Sequence, residues 1–487
     1  MARAEARRTR VRLLLWVCGL ATAGALLLAP HSAAAKAGAL DKDFGEAGRV
    51  VTKVATPMSG DPSGEESFYM AASPDGAIVV GREGELLRYV PSGQLDRGFG
   101  ATGRIALGNP AGLPFEIADL DMDSHGRVVV VGTSTDPNAR LESSEPDRAV
   151  HPRRLVTVAR YNANGTLDAS FGGDGVVVSA FEQPPPPGYN LASTGAFDVL
   201  VDGQNRVLLS GWALGEAGIC KTLPSVHSHA FVARLTESGT VDPTFGGGDG
   251  IGATGLFEEL YEMAIGPAGE IVLRGSDGMC GSTLGTIARL GPDGIPDEGF
   301  GVRYFEQDAS LPHGRDYSLR SPRRIAVDGR GRILVLGLAI PSYLPGGRAD
   351  YTGARLLRLN ADGTPDPSFG RGGKVGLWLP GAGSSLSSLL AGPKGTVLLA
   401  GHVARGRGKR SWPPKRAFTA IRLAANGKLD RRFGNGGWTV TRFGRLSSVA
   451  HTAALVGTPG RLVVGGWAKG APALGLGVAL ARYRLER

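Results

Sequence analysis

The sequence predicts an all-β chain folded as a seven-bladed β-propeller of four-stranded blades, and three observations carry that prediction. A motif, Gly-x-x-Asp-x-x-Phe-Gly, returns seven times, with its Phe at positions 44, 99, 171, 245, 300, 369 and 433, so that copies lie 55 to 74 residues apart. Between copies the chain runs in short apolar stretches broken by turns, with 76 Gly and 31 Pro among 487 residues and no helical periodicity of useful length beyond the extreme N-terminus. The two ends of the repeat array are incomplete in complementary ways. A repeat of this length that varies only by insertions marks a propeller or a solenoid, and complementary ends select the closed ring.

The first element is a targeting segment. Arg3, Arg7, Arg8, Arg10 and Arg12 precede an apolar run from Leu13 to Ala29, which leads into Pro30-His-Ser-Ala33-Ala-Ala35. A basic start, an apolar middle and an A-x-A-like site form the pattern of a secretory signal peptide, with cleavage expected after Ala35. The Arg7-Arg8 pair is a weak twin-arginine signal, and Leu15-Trp16-Val17 before Cys18 lacks the small residues that lipoprotein processing needs. The expected organisation is therefore a signal peptide over 1–35 and a propeller over 36–487, in a secreted or extracytoplasmic protein. No later stretch is long and apolar enough to span a bilayer. The formal charge of the whole chain is +9. Five Arg and one Glu of residues 1–35 supply much of it, and the remaining mild excess does not indicate nucleic-acid binding.

Each motif has the same neighbours, which define four strands, A to D. A partly apolar run such as Phe115-Glu-Ile-Ala-Asp-Leu120 is strand A. A turn and an apolar run ending in Gly, such as His125-Gly-Arg-Val-Val-Val-Val-Gly132, give strand B. An alternating run with an Arg, such as Val156-Thr-Val-Ala-Arg160-Tyr161, is strand C. The motif follows as the C–D turn, then a short strand D such as Gly175-Val-Val-Val-Ser179. The first copy is followed by a D strand, residues 48–52, with no A, B or C before it. The last copy is followed by A near 447–455, B at 461–465 and C at 478–483, with no D. Six complete blades and this composite make seven, the N-terminal D strand closing the ring on the C-terminal A–C strands and leaving no interior sheet edge.

The motif and its extension, LDxxFGxxG, resemble the delta-60 repeat family, a propeller-like repeat of bacterial exported proteins, over nearly the whole chain after residue 35. The resemblance implies the propeller and carries no general biochemical activity with it. Repeat five departs from the pattern: Val302-Arg303-Tyr304 follow Phe300-Gly301 without the second Gly, and a distorted turn is expected there.

An Arg stands eight residues before each motif Asp, giving the pairs Arg88/Asp96, Arg160/Asp168, Arg234/Asp242, Arg289/Asp297, Arg358/Asp366 and Arg422/Asp430. The seventh Arg, Arg482, has its partner at the other end of the chain, Asp41. A turn Asp accepts backbone N–H bonds and an Arg clamps a carboxylate, so these fourteen residues read as structural devices that fix the C–D turns. The motif Phe is expected to pack between blades. Asp174 and Asp249 lie in Gly-rich loops, without the several spaced acids that a Ca²⁺ site requires. No metal or cofactor is expected.

In a blade of this order the B–C and D–A connections share one face. The insertions, 133–154, 181–189, 212–230, 338–350 and 402–416, all fall there, and variable loops on a rigid scaffold are the usual place for binding. The run from Arg405 to Arg416 is basic with one aromatic and suits an acidic glycan, polyphosphate or wall polymer. Cys220, His227 and His229 share a loop but not a recognised zinc spacing. Cys220 and Cys280, the two cysteines that remain after residue 35, lie in B–C loops of adjacent blades and are expected to form a disulfide in an oxidising compartment. No nucleophile elbow, metal-binding helix motif or P-loop appears, and His125, His151, His313, His402 and His451 are scattered. The leading reading is a monomeric binding or scaffold protein whose partner is a protein, glycan or cell-wall ligand, engaged by the B–C/D–A face. The alternative is a propeller-type enzyme, lyase- or lactonase-like, with its site at the channel mouth.

Overall fold

The computed structural model describes residues 36–486 except 55–67, 142–150, 182–191, 216–226, 253–255, 258, 278–283, 306–318, 340–352, 382, 406–414, 458–459 and 470–475. The expected signal peptide lies outside the described residues, as do Cys220 and Cys280 and hence the expected disulfide.

The described residues form seven four-stranded antiparallel sheets. β1 (Arg49–Lys53) is the D strand of the closing blade. Blade 1 is β2 (Tyr69–Ala72), β3 (Ile78–Arg82), β4 (Glu85–Tyr89) and β5 (Arg104–Ala106), and blade 2 is β6 (Phe115–Met122), β7 (Val128–Leu141), β8 (His151–Tyr161) and β9 (Val176–Ser179). Blade 3 is β10 (Thr194–Val201), β11 (Val207–Gly215), β12 (His227–Leu235) and β13 (Ile251–Gly252). Blade 4 is β14 (Glu259–Ile265), β15 (Ile271–Asp277), β16 (Leu284–Leu290) and β17 (Arg303–Phe305). Blade 5 is β18 (Leu319–Val327), β19 (Ile333–Ala339), β20 (Gly353–Leu359) and β21 (Lys374–Trp378). Blade 6 is β22 (Ser385–Ala391), β23 (Val397–Arg405), β24 (Lys415–Leu423) and β25 (Trp438–Thr441). Blade 7 is β26 (Ser447–Val456), β27 (Arg461–Lys469) and β28 (Leu476–Arg484), completed by β1.

The closing pairing is a regular antiparallel ladder from Arg49 opposite Ala481 to Lys53 opposite Gly477. Asp41 N–H donates to Arg482 O, and Arg482 N–H to Gly48 O, so the first C–D turn is tied to the last C strand by backbone as well as by side chains. The A strands touch their neighbours around the ring. Strands B and C are apolar on both faces because a blade covers each: β3 is buried throughout, and β28 at all but its end residues. The core is accordingly seven apolar layers, one per blade interface. The layer between blades 7 and 1 joins Val463, Val478 and Leu480 to Ile78, Val80 and Leu87, with Phe44 at its edge.

Strand B carries a Gly that answers a bulge in strand A. The bulge falls between Ile117 and Asp119 in blade 2, Ala196 and Asp198 in blade 3, and Leu260 and Glu262 in blade 4. A Cβ on Gly132, Gly275 or Gly401 would come within 2.2, 2.4 or 2.1 Å of an A-strand carbonyl oxygen, which no side chain tolerates. The bulge also turns its side chains toward the channel.

Several insertions differ from simple loops. Strands β7 and β8 continue as one ladder to Leu141 opposite His151, so residues 133–141 and 151–154 form a hairpin projecting from the blade. The B–C insertions of blades 3 and 6 begin in the same way, as far as Gly215 opposite His227 and Arg405 opposite Lys415. The β-favouring Thr133-Ser-Thr135 and Val403 let the antiparallel pairing run on beyond the core.

Deleting residues 36–52 removes β1 and leaves β28 as an exposed edge. The expected result is loss of cooperative thermal unfolding for the whole ring and a shift to aggregates in size-exclusion chromatography. A deletion variant that stays monomeric and melts as the parent does would refute this role of β1.

Candidate functional site

The structure places each of the seven arginines beside its aspartate, at 2.6 to 3.2 Å. Each Arg reaches further than its own turn. A terminal nitrogen donates to a carbonyl of the next blade: Arg88 to Ala163, Arg160 to Glu237, Arg234 to Pro292, Arg289 to Ala361, Arg358 to Ala425, Arg422 to Leu485 and Arg482 to Pro91. Each guanidinium also lies over the motif Phe of its own repeat, 4.3 to 6.0 Å from the ring centre. The first Gly of the following motif closes over that Phe. A Cβ on Gly93 would lie 2.8 Å from the Phe44 ring, and one on Gly294 2.5 Å from Phe245. These glycines also hold φ of +81 to +86°, so both their conformation and their missing side chain are used.

In blades 2, 3 and 5 a hydroxyl two residues after the Asp completes the clamp. Ser170, Thr244 and Ser368 donate to Oδ1 of Asp168, Asp242 and Asp366 and accept from the same arginines. Burial raises these carboxyls, but the hydroxyl and amide bonds and the arginine charge outweigh it and hold all three below the usual carboxylate range. A second arginine at the start of strand B approaches the same carboxylate in four blades: Arg127 to Asp168 and Arg332 to Asp366 at 3.5 Å, Arg206 to Asp242 at 3.7 Å, and Arg461 to Asp41 at 2.9 Å. In blades 2, 3 and 5 it is held by an Asp four residues earlier, Asp123, Asp202 or Asp328.

At Asp96 the pair is the longest of the seven. Arg88 Nε lies 3.2 Å from Asp96 Oδ2, an ion pair, but this buried nitrogen has no hydrogen-bond partner. Asp96 serves its own turn instead, its Oδ1 accepting from Gly98 N–H at 3.0 Å. Gly98 stands where Ser170, Thr244 and Ser368 offer a hydroxyl, and Ala77 stands where blades 2, 3 and 5 carry the second arginine. The Asp96 side chain is 25% exposed, against 6% for Asp366, but blade 4 shares both absences, with Gly299 and Glu270 at these positions, and Arg289 still donates to Asp297 Oδ2. The Arg88 guanidinium is drawn the other way, donating to Gly126 O of blade 2 at 2.9 Å and lying 6.0 Å from the Phe99 ring, the longest such distance of the seven. Arg88 thus ties blade 1 to blade 2, while Asp96 shapes a turn that it does not lock.

Repeat five is rewired, as its missing Gly foretells. In the other six copies the last motif Gly donates its N–H to the next blade, for example Gly370 to Asn426 O at 2.9 Å. Gly301 instead donates to Asp297 O in its own turn, and the freed carbonyl of Asp362 accepts from Arg303 at 3.3 Å. Asp174 and Asp249 each cap their own loop, accepting from the N–H of Val176 and Ile251.

The channel wall holds groups that periodicity alone did not single out. The inner strands lack a further strand on the channel side, and side chains of the preceding blade supply partners. Asp119 accepts from Val199 N–H at 3.2 Å, Asp121 from Val201 at 2.8 Å, Asp198 from Met263 at 2.6 Å and Glu262 from Ile325 at 2.8 Å. Arg324 then donates to Ser387 O at 2.7 Å, and Ser387 to Ala450 O at 3.0 Å. Burial raises Asp119 and Asp121 to about 6. Asp198 is raised well above the usual range by burial and by the adjacent Asp119 charge, and the two carboxyls are hydrogen-bonded. Two facing carboxyls in such a place retain a proton between them.

Further along the ring, between blades 4, 5 and 6, the mouth of the channel widens into a cavity of about 550 Å³. It is lined by Tyr261, Arg274, Ser276, Arg323, Arg324 and Ser387 among others. These residues stand at the end of strand B and the start of strand A, so the cavity opens on the face of the B–C and D–A connections. Arg274 is buried, bonded to Glu262 at 3.0 Å and to Pro322 O at 2.8 Å, and packed over the Tyr261 ring at 5.1 Å. Arg324 lies 3.9 Å from Glu262, while Arg323 is exposed on the bulge. Beyond Arg324 the channel wall is mixed: Leu200, Met263, Ile265, Ile325 and Leu389 stand beside Glu262, Ser388 and Thr452.

Of the histidines, His402 and His451 are brought near one another in blades 6 and 7, and burial lowers both to about 4, keeping them neutral. His125 lies apart, beside Glu237 and Asn205 in the A–B and C–D turns. The side chain of His151 and all of His313 lie outside the described residues, as does most of the basic run 405–416. Among the described residues no group of three or more His, Cys, Asp or Glu side chains is arranged to hold a metal ion.

A family model described as "Domain of unknown function (DUF5122) beta-propeller" matches residues 156–171 and 331–369, which hold the C strand and motif of blade 2 and the B and C strands and motif of blade 5. No curated protein matches the chain. Among solved structures it is similar to a calcium-binding regucalcin from Agrobacterium tumefaciens, at 12% identity over 80% of this chain and 96% of that one, with a TM-score of 0.34. It is also similar to a gluconolactonase from Xanthomonas campestris (16% identity, 68% and 81% covered, TM-score 0.33) and to Drosophila Semaphorin 2a (10%, 86% and 73%, TM-score 0.40). Propellers of this kind host many chemistries.

The electrostatics of the clamps and of the channel can each be tested by substitution. Replacing Arg358 by Ala leaves the buried Asp366 with Ser368 and the more distant Arg332, at 3.5 Å, and urea unfolding should show a loss of about 3 kcal/mol. Arg289→Ala should lose less, because the Asp297 side chain is 32% exposed, and equal losses would contradict the burial argument. For the channel pair the sign is opposite to that of the clamps. Carboxyls raised in the fold contribute stability that is full below the unfolded value and is lost as pH rises through about 6 for Asp119. Asp198→Asn keeps the bond from Met263 and donates permanently to Asp119. It should raise the Tm at pH 7.5 and flatten its fall between pH 5 and 7.5, and an unchanged Tm profile would show that the pair shares no proton.

Proposed function

We propose that this protein is an exported binding propeller that presents its B–C/D–A face to a ligand or partner outside the membrane. The observation that carries the reading is the asymmetry of the two faces. The C–D turns on one face are built to one pattern around repeated arginine–aspartate pairs. On the other, hairpins project from blades 2, 3 and 6 beside an open cavity at the channel mouth. A rigid ring with one adaptable face is built for recognition. The channel acids, which a propeller enzyme would need free, each accept a backbone N–H of the next blade, and this favours binding over catalysis. The recurrent LDxxFGxxG motif supports membership of the delta-60 repeat family, and the basic, apolar and small-residue pattern of 1–35 supports export. A Cys220–Cys280 bridge would staple blades 3 and 4 on the same face.

A thermal-shift screen of the purified protein against metals, neutral and acidic glycans and wall fragments tests this reading, since a ligand of the native state raises its Tm. A variant in which a short turn replaces residues 135–154 should keep the ring and lose or weaken the response of ligands held by that hairpin. Arg323→Gln tests the mouth in the same way. The reading fails if a ligand raises the Tm of both variants in full but not that of an Arg432→Gln variant on the opposite face. Turnover of a bound compound, seen as product by chromatography, would establish the catalytic alternative.

A further inference from the structure

We infer that the mouth cavity between blades 4, 5 and 6 binds an oxyanion, a carboxylate or phosphate group of a small hydroxylated ligand, on Arg323 and Arg324. The inference rests on the binding reading above and names the ligand chemistry for that face. Three guanidiniums, of Arg274, Arg323 and Arg324, line the cavity, and among the described residues the carboxylate that pairs with them is Glu262. Glu262 is already committed: its Oε2 accepts from Arg274 Nε at 3.0 Å and from Ile325 N–H at 2.8 Å. Arg274 is thereby neutralised and fixed, further held by Pro322 O and the Tyr261 ring. Among the described residues no further acid lines the cavity to balance the other two cations.

Their geometry suits a bound anion. Arg324 is anchored through Nε to Ser387 O at 2.7 Å and through one terminal nitrogen to Arg323 O at 3.0 Å, which fixes the plane of its fork. Among the described residues Arg323 makes no side-chain hydrogen bond or ion pair, and it stands next to that fork on the same wall. A preformed arginine fork loses little freedom on engaging an oxyanion and can do so through two parallel bonds. The recessed site strengthens the attraction relative to open water. The hydroxyls of Ser276 and Ser387 and the half-open ring of Tyr261 line the rest, as hydroxyl groups of a sugar-like ligand require. Beyond Arg324 the wall holds the Glu262 carboxylate among mostly apolar side chains, which does not favour an anion, so the arginines form the floor of the site.

The contrast with another large cavity sharpens the argument. A space of about 660 Å³ opens on the opposite face between blades 6 and 7, also with basic residues. There Lys394 pairs with Glu486 at 3.4 Å and Arg422 with Asp430 at 2.8 Å, so two of its cations are answered internally.

The test measures binding of inorganic phosphate, galacturonate and glucose to the purified protein by isothermal titration and thermal shift at constant ionic strength. Phosphate, galacturonate or both should bind and raise the Tm, and glucose should not; which anion binds more tightly separates the phosphate source from the carboxylate source. Arg323→Gln, an exposed change that leaves the fold intact, should weaken anion binding at least about tenfold. Arg324→Gln should weaken it further, and Arg432→Gln should leave it unchanged. Anion binding that survives Arg323→Gln at full strength overturns the inference, as does the absence of any response to both anions. If a neutral glycan then still binds and is lost with the blade 2 hairpin, the anion chemistry alone has failed and the face assignment stands.

Discussion

The ring depends on one polar device that recurs at every blade interface: an arginine that faces the carboxylate of its own turn, lies over its own phenylalanine and donates across to the next blade. Each part needs the others. A buried guanidinium is tolerable because a carboxylate answers it, and the carboxylate is tolerable because backbone and hydroxyl donors surround it. The aromatic ring beneath covers the cation's face and closes the edge of the apolar layer, where the next glycine seals it. Blade 1 separates the two tasks of the device: the grip on Asp96 is loose, yet Arg88 still reaches blade 2. Because the acceptor carbonyl belongs to the neighbour, the arginine sets the distance between blades as well as the shape of a turn. That is why the motif tolerates no change of length while the other face varies freely.

The inner edge solves a different problem with different chemistry. Each A strand presents unpaired backbone groups to the channel, and in blades 2 to 6 side chains reach across to satisfy them. Carboxylates do this for N–H groups from blade 2 to blade 4, and then an arginine and a serine do it for carbonyls from blade 5 onward. The change of sign around the ring makes one sector of the channel acidic and the adjoining sector basic. A channel with such a polarity orients a charged guest before any close contact forms.

Much of this was legible in the sequence. The motif, its period and the complementary ends specify the blade number, the strand order and the closing pair, because turns, alternation and repetition are local signals. The arginine at eight residues before each Asp was legible as the partner of the turn. Its reach into the next blade was not, since the acceptor is a main-chain carbonyl with no identity in the sequence. The second arginine had a readable signal, Asp-x-x-x-Arg at 123–127, 202–206 and 328–332, which the apolar run beside it obscures. The mouth arginines also had one: Pro322-Arg323-Arg324 interrupts a strand whose counterparts in blades 2 to 4 are apolar or acidic. Their convergence with Arg274 depends on the bulge, whose position follows from contacts between strands. For the B–C insertions of blades 2, 3 and 6, the continuation as hairpins depends on pairing that length alone does not reveal.

The closing strand has a consequence for how the molecule is assembled. β1 pairs with residues more than 420 positions later, so its ladder has the highest contact order in the chain. Six blades can mature in sequence from local hairpins as the polypeptide emerges, while β1 waits without a partner. Through that interval the half-exposed Val51 is available to any other open edge. The entropic penalty of so long a loop grows only with the logarithm of its length, so the delay is kinetic rather than thermodynamic. The interval before closure is therefore when one molecule's β1 can complete another's seventh blade, giving a domain-swapped pair, and chain concentration during folding decides between one ring and two joined ones.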